Sequence, residues 1–257
     1  MTFLTVDRPS REAADRPGPS PGRVLAAVGV GALIVALGIV LLTTSADTIG
    51  AAVLAPAVLY AAAVLVLVPR LPSYHPYARL GLANALTLWR LAVVCVLAGV
   101  AAMPTMLAGE TAAWLALTTA LTVLVLDGLD GWAARRQGLC SRFGARFDME
   151  VDALLGVVLA ALALGQGKVG AWVLLLAGLR YLFLAGQALW PVLRRPLPDS
   201  LRRKVVCVFQ LSVLCALLAP PIDGVLASSL AATAMGALTW SFAVDIRWLI
   251  RSRPVAG

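Results

Sequence analysis

Five of the chain's thirteen acidic residues fall between positions 127 and 152. Asp127 and Asp130 are three apart and Asp148 and Asp152 four apart, so each pair shares one face of a helix. Four carboxylates brought together repel one another unless cations neutralise them. An all-oxygen set without Cys or His favours Mg²⁺ or Mn²⁺ over zinc. The rest of the sequence agrees: His75 is the lone histidine, and Cys95, Cys140, Cys207 and Cys215 form no C-x-x-C pair. Such ions keep open positions for phosphate oxygens. Gly131 and Ala134 leave one helix face bare, so a nucleotide or diphosphate can approach the backbone, and Arg135 offers a guanidinium suited to phosphate.

The elements that must position these groups are membrane helices. Apolar residues make up 61% of the 257-residue chain and charged residues 13%, against about 45–50% and 25% in soluble domains. That excludes a soluble globule, a secreted disulfide scaffold and a disordered chain. The apolar runs predict an all-α polytopic bundle of eight spans, near 24–43, 49–68, 84–104, 112–133, 148–166, 170–192, 204–219 and 225–246. With a cytoplasmic N-terminus and alternating spans, the inner segments hold eighteen of the 21 Lys and Arg, and the outer loops hold only Lys168. This asymmetry predicts that both termini are cytoplasmic. It also accounts for the net charge of +8 through topology and anionic lipid, with no nucleic-acid partner. Asp127 and Asp130 then close span four, Asp148 and Asp152 open span five at the same depth, and a short loop brings all four together at the inner face. Residues 1–22 read as a disordered tail, 23–79 as two helices with a linker, and 80–257 as the core. Cys95, Cys207 and Cys215 lie in apolar runs and are expected to be buried reduced thiols.

The acidic segment resembles the signature of the CDP-alcohol phosphatidyltransferase family, D-x-x-D-G-x-x-A-R-x8-G-x-x-x-D-x-x-x-D. Asp127, Asp130, Gly131, Ala134, Arg135, Gly144, Asp148 and Asp152 fill every fixed position. The resemblance implies a six-helix core over roughly 80–250. It implies transfer of a phosphatidyl or similar phospho-alcohol group from a CDP-linked donor to an alcohol, with release of CMP. Carried across, Asp127, Asp130 and Asp148 would hold two divalent ions, Mg²⁺ or Mn²⁺. Asp152 would be a further ligand or the catalytic base, and Gly131, Ala134, Arg135 and Gly144 would cradle the nucleotide. Asn84, Thr87 and Arg90 resemble the N-x-x-T-x-x-R stretch that opens the family's first core helix; they recur on one face beside the aspartates and would join the nucleotide contacts. The resemblance also suggests a homodimer, and the expected location is the plasma membrane.

Arg180 sits near the middle of a span, where an unpaired cation is expensive, and is expected to face an anion. Arg194, Arg195, Arg202 and Arg203 are candidates for holding a phosphorylated acceptor, glycerol 3-phosphate or an inositol phosphate. The competing readings are a transporter of divalent cations or lipids, and a non-catalytic scaffold. A transporter would spread ionisable groups through the membrane depth, whereas these aspartates cluster at one face.

Overall fold

A computed structural model describes residues 19–45, 51–71, 77, 79–137, 141–195 and 197–251. Among the described residues there are eight α-helices and no strands. They are α1 (Pro21–Ser45), α2 (Ala55–Leu67), α3 (Gly81–Ala101), α4 (Glu110–Gln137), α5 (Arg142–Gly165), α6 (Leu174–Leu189), α7 (Leu201–Leu217) and α8 (Gly224–Arg251). Each coincides with one of the eight apolar runs, and the all-helical membrane architecture stands. The expected 1–22 tail lies mostly outside the described residues, as does most of the 70–76 linker.

Among the described residues, five segments are long and apolar enough to cross a membrane: Pro21–Thr44, Gly81–Ala101, Glu110–Gly128, Ala171–Leu189 and Gly224–Arg251. The other three depart from that standard for separate reasons. α2 has 13 residues between 3-10 turns at Ala51–Leu54 and Val68–Arg70. Pro56 begins the helix where a missing N–H does no harm, and Pro69 cannot extend it. α7 has 17 residues. α5 has 24 residues, but its first three turns carry Arg146, Asp148, Glu150 and Asp152.

The chain forms two compact units, one ending at Val158 and one running on from Leu159. In the first, α3 is central and packs against α1, α2 and α4. Lipid tails are as apolar as leucine, so close backbone approach through small residues has to hold such helices together. Buried positions on α1 fall at 24, 27, 31, 35, 38 and 42, a seam of three- and four-residue steps. Two glycines on this seam admit neighbours: Gly31 takes the Tyr60 ring, and Gly38 takes Val96 of α3. On α3 itself, a Cβ at Gly99 would lie 2.7 Å from Pro56 and 2.9 Å from Leu42. Tyr60 Oη donates to Val28 O at 3.0 Å, so its hydroxyl is satisfied inside the bundle. Leu33, Leu37, Val40 and Leu41 form the opposite, exposed face of α1, the side available to lipid.

In the second unit, α8 packs on α7 and α6. Its buried stripe is Ala227, Ala231, Ala234, Leu238, Ser241, Asp245 and Leu249, again at three- and four-residue steps. Gly167, with φ +68°, turns the chain before the 3-10 turn at Ala171–Val173 that leads into α6. Beside it Lys168 Nζ donates to Ala219 O. Burial pushes the lysine pKa below its ordinary value, while the Asp223 charge acts in the opposite direction. One cysteine expectation is corrected. Cys95 and Cys215 are buried, but Cys207 is exposed on the same side of α7 as Val208. An apolar run in a membrane helix gives no clue to which side faces lipid. Cys140 lies outside the described residues.

Candidate active site

The first unit gathers the carboxylates by ordinary helix chemistry. Ser141 caps α5: its Oγ accepts the Gly144 N–H at 3.0 Å, which fixes the helix start. Asp148 and Asp152 follow on successive turns of that helix, and Asp127 stands in the C-terminal half of α4. Phe143 and Phe147, almost fully buried with ring centroids 5.9 Å apart, anchor the first turns of α5 on its core side.

Arg90 of α3 sits among these carboxylates and has no solvent exposure. Its Nη1 donates to Asp148 Oδ1 at 2.7 Å and its Nη2 to Asp152 Oδ1 at 2.7 Å. Nη1 also lies 2.8 Å from Asp127 Oδ1. That third contact is an ion pair without hydrogen-bond alignment, and Asp127 Oδ1 is buried with no hydrogen bond on it among the described residues. A planar guanidinium can span several carboxylates in this way, where an ammonium is a single point charge. Arg90 thus bonds directly to two of the aspartates it was expected to stand beside.

Asn84 and Thr87 share its buried face. Each bonds back to its own helix, Asn84 Nδ2 to Leu80 O at 2.7 Å and Thr87 Oγ1 to Ala83 O at 3.0 Å. Gly144 explains its place in the signature: a Cβ there would come within 2.8 Å of Asn84 Oδ1. The two sequence patterns are thus interlocked, the glycine of one making room for the asparagine of the other. The backbones of Asp130, Gly131, Ala134 and Arg135 belong to α4, while their side chains lie outside what is described.

Carboxylate oxygens of Asp127, Asp148 and Asp152 lie within 4.8 Å of one another. Among the described residues three carboxylates meet one guanidinium, and one buried oxygen of Asp127 takes no hydrogen bond. Both features suit a hard divalent cation with oxygen ligands. The side chains are partly exposed, at 24%, 34% and 19%, so a ligand can reach them from solution.

The other candidate cations belong to the second unit. Arg180 lies half-buried in α6. Arg194 donates to Gln187 O at 2.6 Å and Ala188 O at 3.1 Å, covering the last carbonyls of α6. Arg195 reaches Leu249 O at 3.5 Å. Arg202 Nη1 donates to Ser241 O and Ser241 Oγ, both at 2.5 Å, its Nη2 pairs with Asp245, and its guanidinium lies 5.6 Å from the Trp240 ring centroid. Arg203 Nη1 reaches Asp245 at 3.3 Å, and its Nη2 donates to Pro198 O. Sequence reasoning passed over Asp245. Its signal was the small-residue stripe on α8, which ends in an acid opposite a pair of arginines.

No curated protein and no solved structure matches the chain. The family model described as CDP-alcohol phosphatidyltransferase matches residues 80–244, which hold all four signature aspartates together with Asn84, Thr87 and Arg90. With that match over more than half its length, and with the signature side chains that are described converging on Arg90, the chain belongs to the CDP-alcohol phosphatidyltransferase family.

Proposed function

We propose that the chain transfers the phosphatidyl group of CDP-diacylglycerol to an alcohol, with release of CMP. The observation that carries this reading is the approach of Asp127, Asp148 and Asp152 to within 4.8 Å of one another around a buried arginine. Asp127, Asp130 and Asp148 would hold two divalent cations, Mg²⁺ or Mn²⁺, with Asp152 as a further ligand or the base. When bound, such ions neutralise the charge on the diphosphate and on departing CMP.

The chain's own residues supply the rest. Asp152 takes the proton of the acceptor hydroxyl as its oxygen attacks the phosphatidyl phosphorus. The bond from that phosphorus to the oxygen bridging to CMP breaks, and CMP leaves with the electron pair. Arg90 orients Asp148 and Asp152 and offsets part of their mutual repulsion. Gly131, Ala134, Arg135 and Gly144 would line the nucleotide position, with Asn84 and Thr87 bracing the turn of α3 beside it. The acceptor would be a phosphorylated alcohol such as glycerol 3-phosphate or an inositol phosphate. The arginines at 180, 194, 195, 202 and 203 are its candidate contacts. The enzyme would work as a homodimer in the plasma membrane, with its site and both termini facing the cytoplasm.

The test uses purified protein in detergent and CDP-diacylglycerol labelled in its cytidine. CMP release is followed with glycerol 3-phosphate, inositol 1-phosphate, inositol, serine or phosphatidylglycerol supplied one at a time. Release that requires Mg²⁺ or Mn²⁺ with one of the phosphorylated acceptors is the expected result. Release with serine or free inositol alone would overturn the acceptor class. Failure to bind CDP-diacylglycerol or CMP at all would overturn the reaction.

A further inference from the structure

A second feature of the first unit lies where the N-terminal helices meet the core. A cavity of about 510 Å³ opens between the start of α1 and the start of α3, lined by Arg23, Ala27, Arg79, Leu80, Gly81, Leu82 and Ala85. Two of these seven residues are arginines, none is acidic, and the remainder are apolar or glycine.

The local chain explains this shape. Arg23 immediately precedes the apolar run of α1, and Arg79 stands just before α3. Both guanidiniums are exposed at the ends of apolar helices, the level at which lipid headgroups lie. Both helices also begin here, so their positive ends favour an anion at the same place. Gly81 enters α3 with φ +79°, a conformation that glycine tolerates at little cost, and it leaves the wall between Leu80 and Leu82 without a Cβ. Ala27 and Ala85, with small side chains, leave the groove open. The result is two cations at the mouth of an apolar groove.

We propose that this cavity binds one anionic phospholipid. Its phosphate would sit between Arg23 and Arg79, and an acyl chain would lie along Ala27, Leu82 and Ala85. Charge complementarity selects the headgroup, and the apolar lining selects a lipid over free phosphate. The site uses a residue of α1, which precedes the part of the chain that the family model matches, so it gives the N-terminal helices a role in lipid contact. It also touches the carboxylate site through one residue: Leu80 lines the cavity, and its carbonyl accepts from Asn84.

The experiment is native mass spectrometry of the full chain in a neutral detergent, titrated with dioleoyl phosphatidylglycerol or dioleoyl phosphatidylcholine. The expected result is one tightly held phosphatidylglycerol, selected over phosphatidylcholine and not displaced by millimolar inorganic phosphate. Arg23→Gln and Arg79→Gln should each weaken it about fivefold, and the double variant roughly twentyfold or more. Ala85→Phe, which fills the groove and keeps both arginines, should remove the bound lipid as well. Equal retention in the double variant, or in Ala85→Phe, would overturn the site. Displacement by inorganic phosphate would assign the arginines to a free anion and overturn the lipid.

Discussion

Arg90 and Asp245 are both buried charges on membrane helices, one in each compact unit, and their surroundings are balanced in opposite senses. Around Asp245, with 8% side-chain exposure, two arginines meet one carboxylate. Those arginines also donate to Ser241 O, Ser241 Oγ and Pro198 O. Around Arg90, one guanidinium meets three carboxylates, and a buried oxygen of Asp127 takes no hydrogen bond. A buried charge is tolerated when it is paired and hydrogen-bonded. The Asp245 cluster meets that condition within the protein. The Arg90 cluster instead brings three carboxylates onto one guanidinium, an arrangement with room for an added cation.

Mutations can break this contrast. Asp127→Asn should lower CMP release on the order of 10²–10³-fold. Thermal unfolding in EDTA should show no loss of stability, because one of three repelling carboxylates has become neutral. A clear drop in unfolding temperature would mean that the cluster is structural, like the one at Asp245. Asp245→Ala should show its effect on stability. It strands two arginines and should destabilise the fold by about 3 kcal/mol, the low end for a broken buried pair because both guanidiniums keep some solvent contact. The loss should be the same with and without Mg²⁺, and a loss that Mg²⁺ repairs would place a metal there instead.

Arg90→Lys sharpens the same comparison. An ammonium cannot span three carboxylates, so the variant should be roughly 2 kcal/mol less stable in EDTA. Mg²⁺ should raise its unfolding temperature more than that of the wild type; an equal response in both proteins would argue against a shared charge balance. The smallest effect is expected at Gly144→Ala, about 1 kcal/mol of overpacking against Asn84 Oδ1. Adding Asn84→Ala should recover part of that loss, and strictly additive losses would show that the two residues do not press on one another.

The acidic site was legible because its signal is spacing. Asp148 and Asp152 on one helix face, Asp127 in the helix before it and a short connection between the two helices already point to convergence. Asn84, Thr87 and Arg90 were legible for the same reason. Helix positions were legible from apolar runs, but helix faces were not. α1 is apolar all round, so its seam of Gly31, Val35 and Gly38 is set by which residues are small, and Cys207 was assigned to the wrong side for want of such a signal. Lengths also slipped where proline intervened, as Pro56 and Pro69 shortened α2. Asp245 escaped because a lone acid near a helix end has no spacing partner, and its arginines lie some forty residues away in sequence.

The central claim is that the carboxylates around Arg90 perform divalent-cation-dependent phosphatidyl transfer. Its most direct test is CMP release from cytidine-labelled CDP-diacylglycerol across a Mg²⁺ titration, with wild type and Asp148→Asn matched for folded protein. Saturable Mg²⁺-dependent release by the wild type, and roughly a hundredth of that or less from the variant, is the predicted result. Release that persists in EDTA, or that survives Asp148→Asn, would contradict it.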